Sequence, residues 1–230
     1  MNEAAIVLAV GRRGCGKTTK IRELAAKARR ALILDPEKKW EPDPGDELIE
    51  GGAALLARLA ELDAGNPHHA FRIVYRDNEI DKVMSVAGLG AAWTYRNLTL
   101  VVDELALLCH ANYLPDYMGK ILAAGRERRI NVLGTTRVPQ EIHNRWFDSV
   151  DLVYWFHVEP GNGLDRIRRY YGKERASAIG QLLEHQSVVY VPYNGGEAIL
   201  GWFGREGLDS AIPGKAPSPG TRRRAGRVPR

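Results

Sequence analysis

The stretch AAIVLAVGRRGCGKTT, residues 4 to 19, decides how the rest of the chain is read. Residues 4 to 10 form an apolar run of strand length, and Gly11, Gly16, Lys17 and Thr18 follow at once in the spacing GxxxxGK(S/T). A helix-forming segment begins near Lys17. Glycines let such a loop curl until successive N–H groups face inward, and the helix adds its positive dipole end, so the turn is predicted to cradle phosphates. The expected cradle is Gly11, Arg12, Arg13, Gly14, Cys15, Gly16, Lys17, Thr18 and Thr19, with Lys17 on the β- and γ-phosphates and the Thr18 hydroxyl on Mg2+. Cys15 lies beside a helix N-terminus, an environment that lowers a thiol pKa. It is expected either as a modifiable thiol or as a plain small loop residue.

Working outward, further apolar runs lie at 31–35, 71–75, 98–103, 130–136 and 151–158, separated by longer helical patterns at 17–30, 52–62, 79–92, 114–127 and 163–184. Continuous rather than alternating apolar character means that both faces of each strand are covered, as in parallel sheets. The expectation is an α/β fold, a P-loop NTPase three-layer sandwich with a mostly parallel central sheet. Near the C-terminus SVVYVPY and EAILGWF flank Asn194, Gly195 and Gly196, which predicts a β-hairpin adding an antiparallel edge.

In LTLVVDELALL the run ends in two acids, placing Asp103 and Glu104 at the carboxyl end of a buried strand, where α/β sheets hold ligands. Asp103 is expected to hold Mg2+, and Glu104, on the other side of the strand, to orient and deprotonate water. An acidic pair that merely ends a strand and caps a helix is the alternative. The strand at 130–136 ends in Thr135, Thr136 and Arg137, which would face the γ-phosphate. Arg126, Arg128 and Arg129 precede that strand, at its opposite end, out of reach of their own nucleotide. Either they serve a neighbouring subunit or they are solvated cations at a helix end.

Lys215, Arg222, Arg223, Arg224, Arg227 and Arg230 supply six cations against a net charge of +5, so the basicity resides in the tail. That tail is rich in Pro, Gly and Arg and poor in large apolar side chains, which predicts a flexible arm over 206–230 after an ATPase domain over 1–205. Such arms bind phosphate backbones through salt-sensitive contacts or serve as solubility tails or docking peptides. Two cysteines with no zinc spacing argue against a disulfide framework or structural metal. No apolar stretch reaches the roughly 20 residues of a membrane span, so no direct span and a cytoplasmic location are expected.

With these residues assembled, the chain resembles the FtsK/HerA group of ring-forming ATPases, above all the genome-packaging ATPases of tailless, membrane-containing double-stranded DNA viruses. The resemblance covers about residues 4 to 203 and is carried by the phosphate loop, ALILDPEKKW, LVVDE and GRERRINVLGTTRVP. It implies ATP and Mg2+ as cofactors, double-stranded DNA as partner, a pentameric or hexameric homo-oligomer, a capsid vertex or portal protein as docking site, and a host-cytoplasmic or virion-associated location. Arg126 resembles the group's trans-acting arginine and Thr136 its strand-end threonine. Arg137 stands where the group usually has glutamine and would contact the γ-phosphate directly. With the loop starting at Gly11, no N-terminal partner domain is expected.

DNA contacts are expected in residues 110–120, with Tyr113, Tyr117 and Lys120, or in 165–175, with Arg166, Arg168, Arg169, Lys173 and Arg175; solvated helix faces are the plainer possibility. Two other functions fit the phosphate loop: a P-loop kinase, for which no basic lid is evident, and an assembly protein that binds ATP without turnover. No NKxD motif favours GTP.

Overall fold

Alternation within the apolar runs decides which face of the sheet each residue covers. The computed structural model describes residues 4–66, 68–159, 161–183 and 186–190. Strands β1 (Ile6–Val10), β2 (Arg30–Leu34), β3 (Glu47–Glu50), β4 (Phe71–Arg76), β5 (Leu98–Val102), β6 (Ile130–Thr136), β7 (Leu152–Trp155) and β8 (Val188–Tyr190) form one sheet in the order β3-β4-β2-β5-β6-β1-β7-β8. Neighbours are parallel throughout, except that β8 runs antiparallel to β7.

Along β1, Ile6, Leu8 and Val10 enter one apolar cluster while Val7 and Ala9 enter another. The same split divides Leu32 and Leu34 from Ile33, and Leu100 and Val102 from Val101. Both faces of the central strands are therefore dry, as their unbroken Val/Ile/Leu content requires. Helix α1 (Lys17–Ala25) covers one face with Ile21 and Ala25. The other face carries α2 (Gly52–Gly65), α3 (Leu89–Tyr95), α4 (Asp116–Ala124), α5 (Arg145–Ser149), α6 (Asn162–Tyr171) and α7 (Lys173–Gly180). Among the described residues the three layers are thus unequal, with a single helix on the phosphate-loop side.

The six apolar runs expected as strands are all strands, but four elements differ from expectation. The helix expected at 163–184 is two helices, because Gly172 at φ +89 adopts a conformation that an α-helix cannot continue. The stretch expected as one helix over 79–92 opens as a π-helix, Ile80–Gly88, in which the Met84 N–H reaches Glu79 O, before α3 begins. Strand β3 and helix α5 were not expected. β3 is a four-residue edge strand with only Ile49 buried, so its sequence ELIE lacks the continuous apolar signature of the others. β8 provides the expected antiparallel edge, whereas the turn at 194–196, the hairpin's second arm and the tail 206–230 lie outside the described residues.

Candidate functional site

Of the parallel strands that end on one side of the sheet, β1, β2, β5 and β6 enclose with their carboxyl ends a cavity of about 250 Å3. It is lined by Arg13, Gly14, Lys17 and Thr18 from the loop after β1, Glu37 and Lys39 from the turn after β2, Asp103 and Glu104 after β5, and Thr135 and Arg137 from the end of β6. The turn 11–16 is held by backbone bonds on both sides: Gly11 N–H to Thr136 O (3.2 Å) and Arg12 N–H to His157 O (2.9 Å). Gly11, at φ +155, could not be replaced without collision, since a Cβ there would stand 2.6 Å from Phe156 Cβ. Lys17 folds back to donate to Arg12 O (2.8 Å), and burial lowers its pKa. Thr19 follows, exposed on the first turn of α1.

The acidic pair corrects one expectation. Strand alternation would send Asp103 and Glu104 to opposite faces, but both line the cavity, because β5 stops at Val102 and Glu104 adopts φ 63. A left-handed non-glycine residue costs about 1–3 kcal/mol, and such strain gathers at functional sites. Here the Glu104 N–H donates to Thr135 Oγ1 (2.8 Å), which fixes the bend. Asp103 Oδ1 accepts from both Thr18 (3.2 Å) and Thr135 (2.9 Å). Burial raises the pKa of both acids, against the hydrogen bonds of Thr135 and Thr18 for Asp103 and against the charges of Arg137 and Lys17 for Glu104.

Arg137 lies in the cavity as expected, but it is engaged twice. Its Nε contacts Glu104 Oε2 at 2.8 Å, and a terminal nitrogen donates to Glu37 Oε1. Glu104 Oε1 is buried and without a hydrogen-bond partner. Thr136 is corrected as well: its hydroxyl turns to Val138 O and does not line the cavity, so Thr135 is the strand-end threonine at the acids. Cys15 is not an activated thiol. Burial raises its pKa despite Lys17, and Sγ sits 2.9 Å from Arg12 O.

Glu37, Lys39 and Asp35 were absent from the expected site. Asp35 is fully buried and organises the turn by accepting from the Lys39 N–H (2.9 Å), the Trp40 N–H (3.0 Å) and Arg76 Nε (2.8 Å). Within ALILDPEKKW the one available signal was an acid closing a buried strand, as at Asp103.

Arg126, Arg128 and Arg129 lie at the other end of the sheet, in the turn between α4 and β6. Arg126 is half-exposed and paired with Asp151, whose other oxygen accepts from the Ile6 N–H at 2.8 Å. Arg128 stacks 4.2 Å over the Trp93 ring, and Arg128 and Arg129 line a second cleft with Arg96 and Asp63. In the expected DNA segments, Arg166 is committed to Pro139 O and Ile142 O, Arg168 to Asp165, and Arg175 to the Tyr190 ring. Arg169 and Lys173 are exposed there. Tyr117 carries Lys120 over its ring at 4.9 Å and packs on Gly90, leaving Tyr113 as the more open aromatic of that segment.

No family model and no curated protein matches the sequence. Solved structures do match. The genome packaging NTPase B204 from Sulfolobus turreted icosahedral virus 2, in complex with sulfate, superposes with a TM-score of 0.66 at 19% identity over 84% of this chain and 94% of that one. The same NTPase in complex with ATP-gammaS gives 0.65 at 18% identity, over 84% and 94%. B204 described as the DNA-packaging ATPase from Sulfolobus turreted icosahedral virus gives 0.63 at 20% identity, over 83% and 94%. The chain therefore shares the three-layer P-loop NTPase fold of these proteins across nearly their whole length.

Proposed function

We propose that the chain is an ATPase that assembles as a homo-oligomeric ring and drives double-stranded DNA, most directly a viral genome into a preformed capsid docked through a vertex or portal protein. The observation that carries this is the cavity itself, in which Lys17 and Thr18 after β1 converge with Asp103 and Glu104 after β5, across the end of the intervening β6. The fold shared with a genome packaging NTPase solved with nucleotide analogues supports the same assignment.

Lys17, released from Arg12 O, would meet the β- and γ-phosphates, and the loop N–H groups would surround them. The Thr18 hydroxyl and the Asp103 carboxylate, already 3.2 Å apart, are hard oxygen donors that fit Mg2+ directly or through its water shell. Bound there, Mg2+ would neutralise charge building on the phosphate oxygens. Glu104 has the free buried oxygen, Oε1, that a water-activating base needs, and its raised pKa makes it a better proton acceptor than an exposed carboxylate. Arg126 is too remote for its own cavity, so a role in hydrolysis requires a neighbouring subunit whose cavity meets this face.

Phosphate release by the purified protein, with and without double-stranded DNA, tests the assignment. DNA should stimulate hydrolysis and Lys17→Ala should abolish it. Arg126→Ala should cut turnover by about 10³-fold, the scale of a trans arginine. Turnover by a monomer indifferent to Arg126 would remove the ring, and phosphate appearing on an acceptor would make the protein a kinase.

A further inference from the structure

Arg137 is shared between two carboxylates on different loops, and the sharing is unequal. Glu104 has Arg137 as its only ion-pair partner among the described residues, through Nε alone. Glu37 holds Arg137 through a terminal nitrogen and Lys39 Nζ at 2.9 Å. The turn that carries Glu37 is itself pinned, since Asp35 gathers two backbone N–H groups and Arg76, and Trp40 is fully buried against the sheet. Glu37 is the fixed post and Glu104 the looser partner.

We propose that Glu37 is a positioning residue that keeps Arg137 over the cavity while Arg137 exchanges Glu104 for the terminal phosphate of a bound nucleoside triphosphate. The proposal rests on the cavity being a nucleotide site. A triphosphate brings negative charge into a space already lined by Glu37, Asp103 and Glu104, and a guanidinium binds phosphate oxygens through paired N–H groups better than it holds one carboxylate oxygen through Nε. Once the Arg137 guanidinium turns to the phosphate, Glu104 loses its ion pair and keeps only the Arg137 backbone N–H, so its buried Oε1 and the lone pair freed on Oε2 become available to water. Tied to Glu37, the guanidinium stays within the cavity during the exchange. A diphosphate has no γ-phosphate to offer Arg137 and leaves the Arg137–Glu104 pair closed. Glu37 therefore sets the preference for triphosphate over diphosphate and, through it, when the base is released.

The test is the affinity of the full chain for ATPγS and for ADP, each with Mg2+, in the unaltered protein, Glu37→Gln, Arg137→Ala and the double variant. Glu37→Gln is nearly isosteric on a surface turn and should fold. It should lower the ATPγS-over-ADP preference about tenfold, the effect of one charge-assisted hydrogen bond, with ADP affinity within about twofold of the unaltered protein. Arg137→Ala should lose at least as much preference, and Glu37→Gln should add nothing to it. An unchanged preference in Glu37→Gln, or the same tenfold loss added on top of Arg137→Ala, overturns the proposal. Failure of both nucleotides to bind the unaltered protein is a separate result, which removes the nucleotide site and the proposal with it.

Discussion

Gly11→Ala and Gly14→Ala form a matched pair within one loop, and the structure assigns them different costs. Both residues have positive φ, +155 and +80, so each alanine carries backbone strain of about 1–2 kcal/mol, partly offset by a stiffer unfolded chain. At Gly14 nothing lies within 4 Å of the added methyl, and strain is the whole effect. At Gly11 the methyl would stand 2.6 Å from Phe156 Cβ, 3.0 Å from His157 O and 3.1 Å from Cys15 Sγ. Two of these neighbours cannot rotate away, being a Cβ and a backbone carbonyl held by the Arg12 N–H. Overpacking of this kind costs about 1–3 kcal/mol more. At roughly 2–4 °C per kcal/mol for a chain of this size, Gly11→Ala should melt about 2–12 °C below Gly14→Ala. Calorimetry or urea titration of the two variants side by side provides the measurement. Equal melting, or a Gly14 variant less stable than the Gly11 variant, would refute the close approach of loop and strand end on which the cradle's shape depends.

Glu104→Gln should retain ATP binding while phosphate release falls by about 10²–10⁴-fold, the range of a lost general base; single-turnover assays with labelled ATP check this, and near-normal turnover would return Glu104 to a structural role. Because burial raises the Glu104 pKa and the base acts only when ionised, kcat/KM should fall with decreasing pH at a higher pH than an exposed glutamate would give. Arg137 holds that pKa down, so Arg137→Ala should move the acid limb to higher pH; a limb that stays or moves lower counts against the pairing. Both thiols are buried, with Cys109 pushed up to about 12 and Cys15 also raised, so iodoacetamide at neutral pH should add nothing to the native protein and two adducts to the denatured one. A native adduct at Cys15, read by mass spectrometry, would contradict the packing of its Sγ on Arg12 O.

The features legible in the sequence are those written in consecutive residues. The loop from Gly11 to Thr18 and the runs that became β1, β5 and β6 announce themselves through spacing and unbroken apolar character. β6 occupies the expected 130–136 throughout. Features that depend on distant partners were hidden. Glu37 and Arg137 are 100 positions apart, and nothing near either one signals the other. The placement of both acids in one cavity turns on the left-handed Glu104, a conformation set by the Thr135 hydroxyl on a neighbouring strand. Strand β3 was missed because an edge strand with one buried side chain does not need an apolar run. The arginines of 165–175 look equivalent as letters, yet Arg166 braces the backbone after β6 while Arg169 faces solvent.

Strand β1 has a different job at each end. Its last residue opens into the phosphate loop, while its first is clasped by Asp151, the carboxylate that also holds Arg126. Five residues at about 3.3 Å each make a strut roughly 17 Å long, paired on both sides by β6 and β7. If the loop takes a nucleotide as proposed, a push there would be carried along this strand toward the opposite pole of the chain. In a head-to-tail ring, that pole is where the next member of the circle would feel it.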